Sequence, residues 1–127
     1  MSTATSSATT TSATTAIVSP ESIRIGTGRS RRFVGREHGA GISYFYVDAA
    51  PDDGPDLHRH PYAETWVVLD GEAVITIGDE QVTAVAGDTA TVGAGVWHAF
   101  TAGGTQRLRI LCIHASDMII QEFADEL

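Results

Sequence analysis

Lysine is absent from the chain; all eight basic side chains are arginines. That excludes Schiff-base chemistry, a lysine-anchored pyridoxal phosphate and a phosphate loop with its usual lysine. Cysteine occurs once, at Cys112, so no intrachain disulfide can form and a reducing, cytoplasmic setting is the default expectation. Cys112 lies in the apolar run LRILCI, where an inert buried thiol is expected rather than a nucleophile. Positive charge is also scarce. Sixteen acids against eight arginines give a formal net charge of -8, which argues against a nucleic-acid or anionic-membrane partner, since both need a basic patch. No apolar run approaches the roughly 20 residues of a membrane-spanning helix. The N-terminus lacks the basic region and apolar stretch of a signal peptide, and no segment carries the 3.6-residue apolar period of a helix.

What remains is a chain of 127 residues, the size of one domain with its own core. Residues 2–16 contain only Ser, Thr and Ala. With no large side chain to bury, residues 1–16 read as a disordered tail and 17–127 as the domain. Short apolar segments recur at close spacing, separated by glycine and aspartate: Gly41 to Ala49, Thr65 to Leu69, Ala73 to Ile77, Gln81 to Val85, Thr89 to Val92, Val96 to Thr101 and Leu108 to His114. That pattern predicts an all-β antiparallel sandwich or barrel. Ile23 to Gly26 reads as a further short strand, Gly103-Gly104 as a hairpin turn, and Met118 to Phe123 as a last strand or a short helix. Five arginines, Arg24, Arg29, Arg31, Arg32 and Arg36, cluster near the start of the domain. They suit a charged strand edge or dimer contact, or an anionic substrate.

Two stretches carry the chemistry. In GPDLHRHPYAETWVVLDG, Gly54 to Gly71, strand alternation puts His58 and His60 on one face and Arg59 on the other, where it should pair with an acid. Glu64 has the parity of the two histidines. In GDTATVGAGVWHAFTA, Gly87 to Ala102, His98 supplies a fourth candidate ligand. Three imidazoles and a carboxylate suit one divalent transition metal, Fe, Mn, Ni or Zn, better than Mg or Ca. With no cysteine nearby, the set lacks the usual composition of a closed structural zinc site.

These two stretches resemble the paired motifs of the cupin superfamily. The first is a glycine, His-x-His, three or four residues, Glu, six residues and Gly; the second is Gly, five residues, Pro-x-Gly, two residues and His. His58, His60, Glu64 and Gly71 match the first, and Gly87, Gly95 and His98 match the second. The chain departs from the pattern at three points: Gly54 stands three residues before His58 rather than five, Gly93 replaces the proline, and Ala102 replaces the usual asparagine. The resemblance implies a cupin-type jelly-roll barrel over residues 17–127, the metal ligands His58, His60, Glu64 and His98, and a homodimer.

A six-coordinate ion held by four ligands keeps about two open positions for a small-molecule substrate. Glu64 would partly neutralise the ion and is the candidate proton shuttle. Phe100, Trp66 and one of Tyr44 and Tyr46 are expected to wall an apolar pocket, with His114 at its rim. Three function classes follow: an oxygenase acting on an enolic, phenolic or acidic molecule; a non-redox isomerase, epimerase, lyase or cyclase; and a non-catalytic sensor or accessory protein that binds a small molecule or metal.

Overall fold

The computed structural model describes residues 16–127, so the proposed tail lies outside the described residues apart from Ala16. Ten strands follow in chain order: β1 (Arg31–Phe33), β2 (Ser43–Ala49), β3 (His58–Arg59), β4 (Glu64–Asp70), β5 (Glu72–Ile77), β6 (Glu80–Val85), β7 (Thr89–Val92), β8 (His98–Ala102), β9 (Leu108–His114) and β10 (Glu122–Phe123). They form two five-stranded sheets ordered β1-β2-β9-β4-β7 and β10-β3-β8-β5-β6. Every pairing is antiparallel. This is the all-β antiparallel architecture expected from the spacing of the turn residues, and the jelly roll that the cupin resemblance implies. Helical structure among the described residues is confined to short 3-10 turns, and none is long and apolar enough to cross a membrane.

The inward faces of three strands explain both core and site. Along β9, Leu108, Ile110, Cys112 and His114 are buried at every second position. Along β4 the buried set is Glu64, Trp66 and Val68, and along β8 it is His98, Phe100 and Ala102. Each strand therefore runs apolar through the core and presents one polar residue at the same end of the barrel. Trp66, Ile75, Leu108 and Ile110 are fully buried, and each contributes roughly 1.5–3 kcal/mol through removal from water. Register fixes the polar end, since Glu64 lies opposite His114 across β4 and β9, and His58 opposite His98 across β3 and β8.

Some local expectations fail. Ile23 to Gly26 is not a strand: Ile23 closes a 3-10 turn and only Arg24 bridges to Arg31. Gly103-Gly104 is not a hairpin turn, because β8 and β9 belong to different sheets. The glycine pair carries the chain around a barrel corner, with Gly103 N–H donating to the Glu72 carbonyl. In β2 the residues between Ser43 and Ala49 are half-buried. Gly54 has a packing role, since a Cβ there would lie 1.8 Å from the Phe100 carbonyl oxygen. Only glycine lets the acidic loop approach β8 so closely.

Candidate metal centre

The polar end of the barrel gathers His58, His60, Glu64 and His98, all buried, with one ligating atom from each lying within 4.8 Å of the others. The hydrogen bonds of the three imidazoles decide which nitrogen faces inward. His58 Nδ1 lies 2.6 Å from the Asp56 carbonyl oxygen, His60 Nδ1 2.8 Å from that of Ile120, and His98 Nδ1 2.9 Å from that of Val96. A carbonyl only accepts, so each Nδ1 carries the hydrogen and each Nε2 presents a lone pair.

Those lone pairs converge on a carboxylate oxygen. Glu64 Oε1 is 2.9 Å from His60 Nε2 and 3.1 Å from His98 Nε2. His98 Nε2 is buried without a hydrogen-bond partner. Lone pairs packed this closely repel one another in a low-dielectric interior. A proton on one edge relieves one contact, whereas a cation at their common point relieves all of them. The donor set, neutral imidazoles plus one carboxylate, fits a divalent transition metal. The Nδ1 contacts are the outer bonds that fix ligand tautomer and ring orientation in such sites.

Burial raises the Glu64 carboxyl, but hydrogen bonds from His114, His60 and His98 outweigh it and hold the group well below the usual carboxylate range when those rings carry a proton on the inward nitrogen; a bound cation takes the place of the protons of His60 and His98. Burial lowers His58 from 6.5 to about 4, against the opposing backbone bond to Asp56, which keeps the ring neutral and available as a ligand.

His114, a candidate for the pocket rim, lines the cavity and stands inside the centre, 1% exposed. Its Nε2 is 3.4 Å from Glu64 Oε2, the oxygen turned away from His60 and His98. Its Nδ1 is 2.6 Å from the Tyr62 hydroxyl, and the Ile120 N–H donates to that hydroxyl at 3.1 Å. One proton assignment satisfies the chain: Ile120 N–H to Tyr62 oxygen, Tyr62 O–H to His114 Nδ1, and His114 Nε2–H toward Glu64 Oε2. Burial pushes the Tyr62 phenol above its ordinary value, so the hydroxyl keeps its proton. Its ring also stacks on His60, with centroids 5.2 Å apart. Tyr62 is the residue that the sequence alone did not single out. Its aromatic type between His60 and Glu64 was a signal, but Pro61 interrupts the alternation from which a direction could be read.

A cavity of about 710 Å³ opens onto Glu64, His58 and His114. Phe100 lines it as expected. Tyr44 and Tyr46 do not: Tyr44 stacks on Phe33 and Tyr46 lies under Arg31, on the outer face of β2. The alternate residues Phe45 and Val47 line the cavity, since neighbours in a strand point to opposite faces. Trp66 is not a wall either; it is fully buried beneath the site, with its ring 5.3 Å from that of His98. Cys112 is buried and its thiol is raised well above the ordinary value by burial, as expected of an inert residue. Arg59 points outward, pairing with Glu122 and covering Trp97.

Comparison with known proteins extends this picture. A structure from Halorhodospira halophila, a cupin 2 domain-containing protein, superposes with a TM-score of 0.66 at 26% identity, covering 77% of this chain and 72% of that one. An oxalate oxidase superposes with a TM-score of 0.67 at 21% identity, and a Bacillus subtilis oxalate decarboxylase described with Mn(II) centres at 0.72 and 20%. They cover 75% and 82% of this chain, which spans only 54% and 30% of theirs. At those identities they share the fold alone. No curated protein matches the chain. The family model described as "Cupin domain" matches residues 45–114, a span that takes in all four converging ligands and more than half of the sequence, and the chain belongs to the cupin family.

Proposed function

We propose that this protein is a mononuclear metal-dependent enzyme that acts on a small oxygenated molecule. One observation carries the reading: three imidazole Nε2 atoms, each fixed by a backbone carbonyl on its far side, converge with Glu64 Oε1, and two of these four groups, His58 and Glu64, line a cavity. When bound there, a divalent transition metal supplies Lewis acidity and, with four protein ligands, about two further positions for substrate oxygens. The Mn(II) centres of a decarboxylase with this fold support a divalent ion.

The chain's own groups do the rest. His58, His60 and His98 hold the ion with neutral nitrogens, and Glu64 neutralises part of its charge. His114 holds the second oxygen of Glu64, so that one oxygen faces the ligand cluster and the other is fixed. Phe45, Val47 and Phe100 give the cavity apolar walls that displace water from around the bound substrate.

Elemental analysis of protein purified without added metal tests the reading, with activity measured in the presence and absence of dioxygen. About one divalent transition metal per chain is expected, with most of it lost in His60→Ala. Full retention in that variant places the ion elsewhere. Oxygen consumption identifies an oxygenase, and oxygen-independent turnover identifies an isomerase, lyase or cyclase. Metal retention with no turnover on any oxygenated substrate favours a binding protein.

A further inference from the structure

We infer that the molecule bound at this centre is a chelator with an oxygen-bearing head and an apolar body of drug-like size, not a two-carbon acid such as oxalate; this deepens the metal-enzyme reading and rests on it. The cavity of about 710 Å³ lies within the range of roughly 300–1,000 Å³ that takes drug-sized ligands. Its polar floor is small: Glu64, His58 and His114. Above the floor the walls are Phe45, Val47, Phe100, Phe123 and Ile25. A two-carbon dicarboxylate would fill the open metal positions and leave the remaining space as water against phenyl and aliphatic groups. An apolar body removes that water, and the same surface that repays it offers a second carboxylate nothing.

The charged side chains of the cavity do not alter this. Arg107 is committed to Asp48, with Nε 2.7 Å from the carboxylate and Nη2 3.1 Å from the Asp48 carbonyl. Arg29 and Asp53 belong to exposed loop residues and oppose each other in sign. Charge therefore sits at the floor, in the Arg107–Asp48 pair and on the outer loops, with Thr27, Ser30 and Gln121 as uncharged polar lining, and Phe45, Val47, Phe100, Phe123 and Ile25 make the apolar wall. The half-buried positions of Phe45, Val47 and Phe123 leave their side chains partly uncovered toward that space.

Two hydroxamates with one head group and different tails test the inference on the full-length, Ni(II)-loaded protein by titration calorimetry. 4-Phenylbutanohydroxamate is expected to bind at least about tenfold more tightly than acetohydroxamate, because only its tail meets the apolar walls. Val47→Asp places a charge on that wall and is expected to erase the difference. Ile25→Glu, at a loop position that is 44% exposed, repeats the test where a charge is tolerated by the fold. Equal affinity of the two hydroxamates, or a preference that survives both variants, overturns the inference. Its failure is separable from that of the metal reading: a protein that takes up no Ni(II) defeats both, whereas a loaded protein indifferent to the tail defeats the inference alone.

Discussion

Tyr62 acts on the centre through a hydroxyl that touches no metal-facing atom. Its O–H reaches His114 Nδ1 at 2.6 Å, and His114 in turn holds Glu64 Oε2. Removing an outer-shell partner of this kind weakens metal binding by about 10–100-fold in sites of comparable construction. Tyr62→Phe keeps the ring that stacks on His60 and deletes only the hydroxyl. The expected outcome is a metal dissociation constant raised about tenfold, measured by competition with a chromogenic chelator, with the thermal midpoint of the metal-free protein little changed. An unchanged constant reduces Tyr62 to a packing residue. At this scale the ligands were legible because strand parity and motif spacing both bear on His58, His60, Glu64 and His98. The walls were not. Parity states which residues share a face, but not which face is inside, and in β2 the polar-tipped Tyr44 and Tyr46 point out while Phe45 and Val47 point in.

The C-terminal segment is the element that closes the centre. Ile120 receives the His60 Nδ1 hydrogen on its carbonyl and donates its own N–H to Tyr62, so one backbone residue orients both a ligand and the residue behind another. Two residues further, Glu122 pairs with Arg59, and the Phe123 ring lies 5.3 Å from that of His58. β10 adds only two residues to the edge of its sheet, so its loss leaves the remaining pairings intact. A chain ending at Asp117 is therefore expected to keep its far-ultraviolet strand spectrum and to bind metal at least about tenfold more weakly, as read by equilibrium dialysis. Equal affinity in the shortened chain means that the Ile120 contacts orient nothing. From sequence, MIIQEF was readable as a strand or a short helix, and the Ile120 contacts with His60 and Tyr62 are made by backbone atoms, which leave no mark in residue type. The same limit applies to Gly103-Gly104: glycines announce a turn, but whether the next strand returns to the same sheet depends on partners far along the chain.

Across the whole molecule, the buried polar end makes stability depend on pH in two windows that overlap between about 4.5 and 4. Burial lowers His58 from 6.5 to about 4, so between those values the unfolded chain binds more protons than the folded one. Stability of the metal-free protein therefore falls as pH drops from about 6.5 to about 4, and this group adds no further loss below that. Glu64 behaves differently because its folded carboxyl is held well below its ordinary value of 4.5. Its contribution is fully present above 4.5 and is lost only as pH falls from there toward its folded value, so it deepens the acid loss without compensating the first window. Bound metal opposes both losses until the imidazoles protonate, because it binds the folded ligands and not the unfolded chain. Urea denaturation of the metal-free protein at constant ionic strength, in steps from pH 7.5 to 3.5, is expected to give a falling unfolding free energy from about pH 6.5 downward. His58→Gln is expected to flatten the curve between pH 6.5 and 4 while leaving the loss below pH 4.5 in place. A variant curve parallel to the wild type throughout would mean that His58 titrates in the folded protein as it does in water, and that the site is open to solvent rather than enclosed by the strands that form it.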